Sequence, residues 1–573
     1  MAPMRTLATP SFVALALLAA CSSTDDTTAS GTGAGGAATT TVDSGGAPGA
    51  GGGAPAESLV TRYDYRFDLA TRAAHSKLTY SSPPPDGNCI GIACRLPVTS
   101  VLWSGTAATS ASVTDELLKA CGGALAATDP FTLEADQLVP LKTFDKLDVG
   151  YMTRTDMAGG VFSYLLSWVG GCSRFGPCDV DTSRLVELHF DIEHPKGTVV
   201  LCPGLRTAGA TSTRCDIEDT LAPTYSGFGF AADPKWVRTP FVTAAGTELV
   251  FFEVPGGKLR TSLDPVSVSA FITWVTGLLG PLPYGPELRF AGGPTAWLGF
   301  EHPANVILLE DLPDLKTSYA DATMHVLMHE TVHQWAGDRT TLASASDFVW
   351  KEATAEYLAY VFEDEHRPKV EAESSLAYWD AISLQSEHYP RPTDAPAVQT
   401  FYGDVYGPGP MVLFVQLESL LGRDAVLAGL AAFLKDAGAK DVASLRLALE
   451  DAAGVDLKDY FDVWVFGEGA PEWPTFEVAT VQTGNDVTVT VTQNNASKKL
   501  YGCRVEVDVF GATKRTTAHL DFGLAPASPT ATAHVALSEA ILGHELDPRH
   551  RVVGHEPSAK NRVKAPPLKV WPL

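Results

Sequence analysis

The pattern of apolar and polar residues predicts β-strands at both ends of the folded part of the chain. Between about residue 58 and residue 245, strand-like segments such as 63–69 (YDYRFDL) and 185–192 (LVELHFDI) are separated by turns containing Gly, Pro and Asn. After Pro474 the side chains again alternate with a period of two, in VTVTVT at 487–492 and RVEVDVF at 504–510. Both ends are therefore predicted to be rich in β-structure.

The middle of the chain, from about residue 258 to residue 466, has the spacing of amphipathic helices. Asp264 is a favourable N-cap and Pro265 a favourable first residue for a helix over 265–279. Two further segments, 318–335 and 346–362, predict helices in the same way. For the first of these we expect Ser318 as the N-cap and Gly337 as the C-cap.

The length of the chain and the change of residue pattern along it together predict several domains. Single hydrophobic cores stop growing near ~250–300 residues, and this chain has 573. We expect a multidomain fold with an N-terminal antiparallel β domain, a central α/β domain and a small C-terminal β-sandwich. The predicted boundaries are 58–250, 251–470 and 471–573.

The first 57 residues predict export and attachment to a membrane. An apolar run at 12–20 (FVALALLAA) follows Arg5 and ends directly before Cys21, which resembles a bacterial lipoprotein signal. Residues 1–20 would be removed, and Cys21 would carry lipid in the bacterial cell envelope. Residues 21–57 would form a tether rich in Gly, Ala, Ser and Thr. The alternative is an ordinary secretory signal followed by an incidental cysteine.

The net charge bears on the partners that the protein can bind, and the cysteine content bears on the compartment in which it folds. A formal net charge of −25 disfavours nucleic-acid partners, because phosphate backbones are repelled. Apart from Cys21, eight cysteines remain, and an even number in an exported chain favours disulfides. The simplest prediction pairs neighbours in sequence and leaves Cys121 and Cys503 over: Cys89 with Cys94, Cys172 with Cys178, and Cys202 with Cys215.

The candidate chemistry lies in the predicted helix over 318–335, which contains the motif HETVH. Residues four apart on a helix share one face, so His329 and His333 can bind one Zn²⁺. Glu330 beside them is the candidate general base for a water molecule. His325 lies on the same face and is expected to support a ligand or to belong to the core.

A third ligand follows at a defined spacing. Eighteen residues separate His333 from Glu352, which lies in the predicted helix over 346–362. A carboxylate from a neighbouring helix completes a His₂Glu set with an open fourth position, as in catalytic zinc sites. We therefore predict one Zn²⁺ per chain. Glu356, one turn later, is expected to orient a ligand imidazole, with an ordinary helix-face charge as the alternative.

These segments resemble the aminopeptidase N family of gluzincin zinc metallopeptidases. The resemblance rests on HETVHQWAGD and FVWKEATAEYLAY, and it extends to VYGPGPMVL at 405–413, GFEHP at 299–303 and RFGPCD at 174–179. It implies a thermolysin-like catalytic domain, zinc, and peptide substrates with a free N-terminus. The long C-terminal helical domain of larger family members is not expected here.

The resemblance also implies two roles outside the metal ligands. Tyr406 would donate to the developing oxyanion, with Tyr402 as the rival residue. Glu301 would bind the α-ammonium group of the substrate, unless it is a loop carboxylate bonded locally. The chain departs from the family pattern around these residues: the usual Asn and Gly flanking the third ligand are Lys351 and Ala353, and the loop carries Phe300 and His302 in place of Met and Asn.

The sequence thus predicts a zinc-dependent peptidase, with an aminopeptidase as the leading interpretation. A zinc endopeptidase with an altered amine pocket is the first alternative. A non-catalytic lipoprotein binding module on a peptidase scaffold is the second. The side-chain preference, the physiological substrate and the oligomeric state are left open by the sequence.

Overall fold

The computed structural model describes residues 58–556 with ten gaps: 85–87, 127–129, 143–150, 156–160, 167–170, 294–297, 398–413, 496, 525–526 and 555. The described residues belong to one compact unit, Pro55–Leu573. The predicted signal peptide, Cys21 and the tether lie outside them. The chain is multidomain, with an N-terminal β-rich region, a mixed α/β central part and C-terminal strands.

The N-terminal region is built from three sheets. The largest has eight strands in the order β14-β15-β12-β1-β2-β8-β4-β5, and β1 pairs with β12 in parallel, so the sheet is not wholly antiparallel. Its inward side chains form an apolar core that includes Tyr65, Phe67 and Phe190. The strands are β1 (Val60–Asp68), β2 (Ala73–Tyr80), β3 (Cys89–Ala93), β4 (Val98–Trp103), β5 (Thr106–Ala107), β6 (Ser110–Thr114), β7 (Leu117–Cys121), β8 (Phe131–Leu138), β9 (Leu141–Lys142), β10 (Tyr151–Thr155), β11 (Val161–Leu166), β12 (Val186–Glu193), β13 (Val199–Leu201), β14 (Leu205–Ala208), β15 (Ser212–Ala222) and β16 (Gly229–Asp233).

The central part contains a five-stranded sheet beside the helices. Its strand order is β17-β18-β19-β21-β20, and β20 is an edge strand paired only with β21 among the described strands. This placement leaves one backbone edge of β20 without a neighbouring described strand. The strands of the central part are β17 (Val237–Ala244), β18 (Thr247–Glu253), β19 (Glu287–Gly293), β20 (Gly299–His302), β21 (Asn305–Leu309), β22 (Thr340–Leu342), β23 (Arg391–Pro392), β24 (Gly438–Lys440) and β25 (Phe466–Gly467).

Helix boundaries follow the capping residues. The predicted helix over 265–279 forms as expected, and the Asp264 side chain accepts hydrogen bonds from the backbone of Val266 and Ser267. No described helix is both long and apolar enough to cross a membrane. The α-helices are α1 (Thr224–Gly227), α2 (Leu259–Ser262), α3 (Pro265–Leu279), α4 (Ala322–Val332), α5 (Phe348–His366), α6 (Lys369–Ser383), α7 (Gln416–Leu421), α8 (Arg423–Phe433), α9 (Val442–Ala453) and α10 (Lys458–Trp464).

The helix that carries the HETVH motif is shorter than predicted. Ser318 was expected as the N-cap, but Asp321 takes this position because its side chain accepts from Met324 N. The helix ends at Val332 with His333 as the C-cap residue rather than Gly337. The next helix also shifts, from the predicted 346–362 to Phe348–His366. His329 lies on the last turn of α4, and His333 lies at its C-cap.

The C-terminal strands share a core with the central part. They form two three-stranded sheets, and Val487 and Val505 belong to the same apolar cluster as residues of the central helices. Trp464 reinforces this junction by donating to Gly502 O at 3.0 Å. The strands are β26 (Phe476–Thr483), β27 (Asp486–Gln493), β28 (Arg504–Phe510), β29 (Arg515–Asp521), β30 (Thr530–Ala536) and β31 (Gly543–Leu546).

Two of the three predicted disulfides form, and one prediction is wrong. Cys172–Cys178 and Cys202–Cys215 are bonded as expected, but Cys89 pairs with Cys121. The two residues face each other across β3 and β7, whereas an extended strand carries Cys94 about 16 Å away from Cys89. Cys94 and Cys503 are buried thiols without a disulfide to any described residue.

Candidate active site and metal centre

Three side chains from α4 and α5 converge on one point. His329 and His333 lie on the last turn and C-cap of α4, and Glu352 projects from the first turns of the neighbouring α5. Their ligand atoms all lie within 4.8 Å of one another. Glu352 Oε2 is 3.3 Å from His329 Nε2 and 3.4 Å from His333 Nε2. The structure thus brings together the three residues that the spacing of the motif selected.

The hydrogen bonds of the imidazoles leave the converging nitrogen atoms as acceptors. His333 Nδ1 lies 2.9 Å from the carbonyl oxygen of Ala336, which only accepts, so Nδ1 carries the hydrogen. His329 Nδ1 lies 2.9 Å from Glu356 Oε2 and donates in the same way. In the neutral rings both Nε2 atoms are then lone-pair donors to a metal.

These atoms fit a zinc ion. The two Nε2 atoms face each other at 3.0 Å, and no described residue donates a hydrogen bond to Glu352 Oε2, although Glu352 is buried. Two lone pairs and a carboxylate oxygen directed at one point repel one another unless a cation lies between them. Two imidazole nitrogens and one carboxylate oxygen are the ligand set of His₂Glu catalytic zinc sites.

A buried network holds the first histidine ligand. Glu356 accepts from His329 through Oε2 and contacts His325 Nε2 at 2.9 Å through Oε1. The other ring nitrogen of His325 lies 2.8 Å from Glu363, so two carboxylates enclose this imidazole. Burial lowers the pKa of His325, but Glu356 and Glu363 outweigh it and raise the pKa to about 10.

The network contains residues that sequence reasoning missed. Tyr319 donates to Glu356 Oε1 at 3.1 Å, and the Trp379 indole donates to the same oxygen from α6. Glu363 lies seven residues after Glu356 on α5, and both carboxylates are buried. The signal that could have found Glu363 is an acidic residue recurring on the apolar face of that helix. Tyr319 and Trp379 gave no comparable signal, because aromatic residues there equally predict core.

Glu330, the candidate base, points into the same space. One of its carboxylate oxygens lies within 4.8 Å of a carboxylate oxygen of Glu301 and of a ring nitrogen of His333. Gly299 makes room for it, since a Cβ at that position would lie 2.5 Å from Glu330 Oε1. Burial raises the pKa of Glu330 to about 8, with His329 opposing the rise and Glu301 adding to it. A cation held by the neighbouring ligands lowers the pKa of such a carboxyl group and favours the basic form.

Glu301 lies on the edge strand β20 and has a partner that the sequence did not reveal. Lys351 Nζ is 2.8 Å from Glu301 Oε1 and 2.7 Å from Glu352 Oε1. Only 3% of the Lys351 side chain and 7% of that of Glu301 are exposed. Burial works to raise the pKa of Glu301, but Lys351 outweighs it and the pKa is lowered. Lys351 thus bridges the strand of Glu301 and the third candidate ligand.

His302, beside Glu301, anchors the edge strand to the N-terminal part of the fold. Its Nδ1 donates to the carbonyl oxygen of Ser226 at 2.6 Å, and its own carbonyl accepts from Gln334 at 3.1 Å. Burial lowers the pKa of His302 to about 4, so the ring is neutral at pH 7. Ser226 also donates to Asp338 at 2.5 Å, and Asp338 follows the motif histidine His333 by five positions in the chain.

Three predicted residues fall outside the part of the chain that the structure describes. Tyr406, the candidate oxyanion donor, and its rival Tyr402 lie in the gap 398–413. Their assignment stays a prediction. Cys21, the candidate lipidation site, also lies outside the described residues.

Comparisons with known proteins agree with this geometry. Residues 300–464 match the Peptidase family M1 domain. Curated relatives include "Probable aminopeptidase 1" of Sulfurisphaera tokodaii, 26% identical over 157 residues, and "Aminopeptidase 2" of Candida albicans, 26% identical over 200 residues. These matches cover 26% and 33% of this chain, and 20% and 21% of the relatives, so they span about a fifth of the relatives' length.

A solved structure extends the likeness of fold over most of the chain. Aminopeptidase A of Legionella pneumophila, in complex with aspartic acid, aligns with a TM-score of 0.68 at 15% sequence identity. The alignment covers 89% of this chain and 60% of the Legionella chain. At that identity the alignment establishes a shared fold.

Proposed function

We propose that this chain, a peptidase whose residues 300–464 form a family M1 domain, is a zinc-dependent aminopeptidase that removes N-terminal residues from peptides. The observation that carries the proposal is the convergence of His329, His333 and Glu352 beside Glu330. Peptidases of this family depend on zinc, and the relatives named above are aminopeptidases by name. The proposal extends their activity to a chain that matches only a fifth of their length.

Each residue of the site has a chemical task in this reaction. The two histidines and Glu352 would hold zinc, which would supply a Lewis acid for the scissile carbonyl and for the attacking water. Glu330 takes a proton from the attacking water and returns it to the leaving amine. Tyr406 donates a hydrogen bond to the developing oxyanion. An extended peptide pairs with the edge of β20 that has no neighbour among the described strands, and Glu301 on β20 binds its α-ammonium group.

The test is the identity of the first product. Purified protein with one zinc per chain is incubated with an unblocked heptapeptide, and the products are followed by mass spectrometry. We expect stepwise loss of single N-terminal residues, inhibition by a chelator, and restoration by added zinc. Absence of zinc or of any cleavage would contradict the peptidase proposal. Cleavage of internal bonds alone would contradict the exopeptidase part and leave the zinc chemistry standing.

The endopeptidase is a second candidate because of one observation. Glu301, the candidate amine anchor, already forms an ion pair with Lys351. A carboxylate that is engaged in this way binds a second cation less strongly. The non-catalytic alternative has weaker support, since the three candidate ligands and the base are all present and converge.

We also propose the finer features of fold and location that the sequence suggested. These are a thermolysin-like catalytic domain, a C-terminal β-sandwich made of the two three-stranded sheets, and export with lipid attached at Cys21. Metabolic labelling with a radioactive fatty acid tests the last point. We expect label on the wild type and none on Cys21→Ser, and an unlabelled wild type would contradict the lipid anchor.

A further inference from the structure

Lys351 already supplies Glu301 with the kind of positive charge that a substrate ammonium would bring. Its Nζ lies 2.8 Å from Glu301 and 2.7 Å from Glu352, which are hydrogen-bond distances between opposite charges. A lysine ammonium and a peptide α-ammonium have the same charge and the same tetrahedral donor geometry. The protein therefore already contains, in its own chain, the group that the anchor is expected to bind.

The stem of Lys351 is packed so that the ammonium group stays where it is. The Nζ atom lies 5.1 Å from the centre of the Phe348 ring. Gly337 is packed against the stem, because a Cβ at that position would lie 2.6 Å from Lys351 Cε. Since the side chain is buried and enclosed, an arriving substrate cannot displace it without disturbing these contacts.

A count of formal charges shows the consequence. Glu301, Glu330 and Glu352 carry three negative charges as carboxylates, and a divalent ion with Lys351 carries three positive charges. The charges of these groups cancel before a substrate arrives, and an α-ammonium group would add an excess positive charge to them. Without Lys351 the remaining charges would cancel only when the ammonium group is bound.

We propose that Lys351 is a specificity-determining residue that competes with the substrate's α-ammonium group for Glu301 and so weakens the preference for a free N-terminus. The proposal rests on the proposed function, because it concerns the amine pocket of that active site. The ion pair with Lys351 is made through Glu301 Oε1, and a carboxylate has a second acceptor oxygen, so we expect the preference to be reduced and not abolished. The substrate class that benefits has an uncharged group at this position, such as a blocked N-terminus or a preceding peptide bond.

The test compares two ligands that differ only in the amine. Alanine hydroxamate and propanoic hydroxamate chelate zinc alike, and calorimetry on the zinc-loaded protein gives a dissociation constant for each. The ratio of the two constants measures the contribution of the amine and requires no turnover. We expect the amine to strengthen binding by less than tenfold in the wild type.

Variants at position 351 decide the role of the lysine. Lys351→Met removes the charge and keeps the stem, so the ratio should rise at least tenfold above the wild-type value. Lys351→Asn serves the same purpose if the methionine variant does not fold. Lys351→Arg keeps a cation and is the matched control, with a ratio near that of the wild type. In Lys351→Met combined with Glu301→Gln the gain should disappear.

The outcomes separate this inference from the proposed function. A wild-type ratio of tenfold or more, or a rise of less than tenfold on removal of the charge, overturns the role assigned to Lys351. A role limited to holding Glu352 predicts weaker binding of both hydroxamates with an unchanged ratio, and that result also overturns it. Peptide cleavage is measured independently, so a protein that fails to release N-terminal residues overturns the proposed function while the ratios still report on Lys351.

Discussion

The metal side and the amine side of the candidate site are specified in different ways. On the metal side, two ligands are held by residues nearby in the chain, His333 by Ala336 O and Glu352 by Lys351. The third, His329, is held by Glu356 on the paired helix. On the amine side, Glu301 and His302 depend on partners from distant segments, Lys351 and Ser226. The comparison teaches that residue spacing on two helices selects the candidate metal ligands. The surroundings of Glu301 depend instead on contacts between distant segments, so substitutions can alter them without changing the ligands.

The largest effect should come from the base on the metal side. Glu330→Gln removes the proton acceptor and no ligand, so kcat should fall by roughly 10²–10⁴-fold while zinc content stays at one per chain. Glu373→Gln, on the exposed side of α6, is the matched control and should leave kcat unchanged. Steady-state kinetics with metal analysis provide the measurement. A variant that keeps wild-type turnover would show that Glu330 is not the base.

The oxyanion donor comes next. Tyr406→Phe should lower kcat by roughly 10²–10³-fold with little change in KM, because the hydrogen bond is made mainly in the transition state. Tyr402→Phe is the comparison variant and should have near-normal kinetics. If the effects of the two substitutions are exchanged, the donor lies four residues earlier in the sequence than predicted.

A smaller effect is expected from the support of the first ligand. Glu356→Gln weakens the hydrogen bond that orients His329, so the dissociation constant for zinc should rise roughly 10–100-fold. Glu363→Gln is the control, because Glu363 contacts His325 and not a candidate ligand. Competition with a zinc chelator gives both constants. Equal affinities for the wild type and Glu356→Gln would mean that the imidazole is held by other contacts.

The smallest effect concerns the amine side and its attachment to the fold. Burial lowers the pKa of His302 from 6.5 to about 4, so the unfolded chain binds this proton first as the pH falls. The stability contribution is therefore complete above pH 6.5 and decreases by roughly 1 kcal/mol per pH unit down to about pH 4.

His302→Gln should remove this pH dependence. Chemical denaturation of both proteins at pH 6.5 and pH 5.5 gives the four free energies of unfolding that are needed. We expect the difference between wild type and variant to shrink by about 1 kcal/mol at the lower pH. Parallel stability curves would show that His302 is protonated in the folded protein as readily as in the unfolded chain.

The sequence predicted the metal side of the site more completely than the amine side. Spacings of four and eighteen residues on two helices are enough to select His329, His333 and Glu352. Lys351 was visible only as a departure from the family pattern, because its two ion pairs depend on how β20 lies against α5. The partner of Cys89 was missed for the same reason, since strand pairing and not sequence distance brings it to Cys121.

The fold was predictable where local signals are strong. Asp264 followed by Pro265 marks a helix start that the structure reproduces, because both signals act within one turn. The start of α4 was misplaced, since Ser318 and Asp321 are both competent caps and only the Asp321 side chain reaches the helix backbone. The parallel pairing of β1 with β12 joins residues more than a hundred positions apart, which periodicity alone does not reveal.

A segment of this chain that is moved into another protein keeps the candidate site intact only if it includes Ser226. The reason is that residues around Ser226 bind groups beside the site. Tyr225 donates to Gly337 O at 2.7 Å, and Ser226 serves both His302 and Asp338. A fragment cut at 300–464, the stretch that sequence comparison recognises, would lose these partners and leave buried polar groups of its own unsatisfied. The stretch that sequence comparison recognises is therefore shorter than the stretch that folds together. Recombination that preserves the candidate site must also transfer the segment around 224–227.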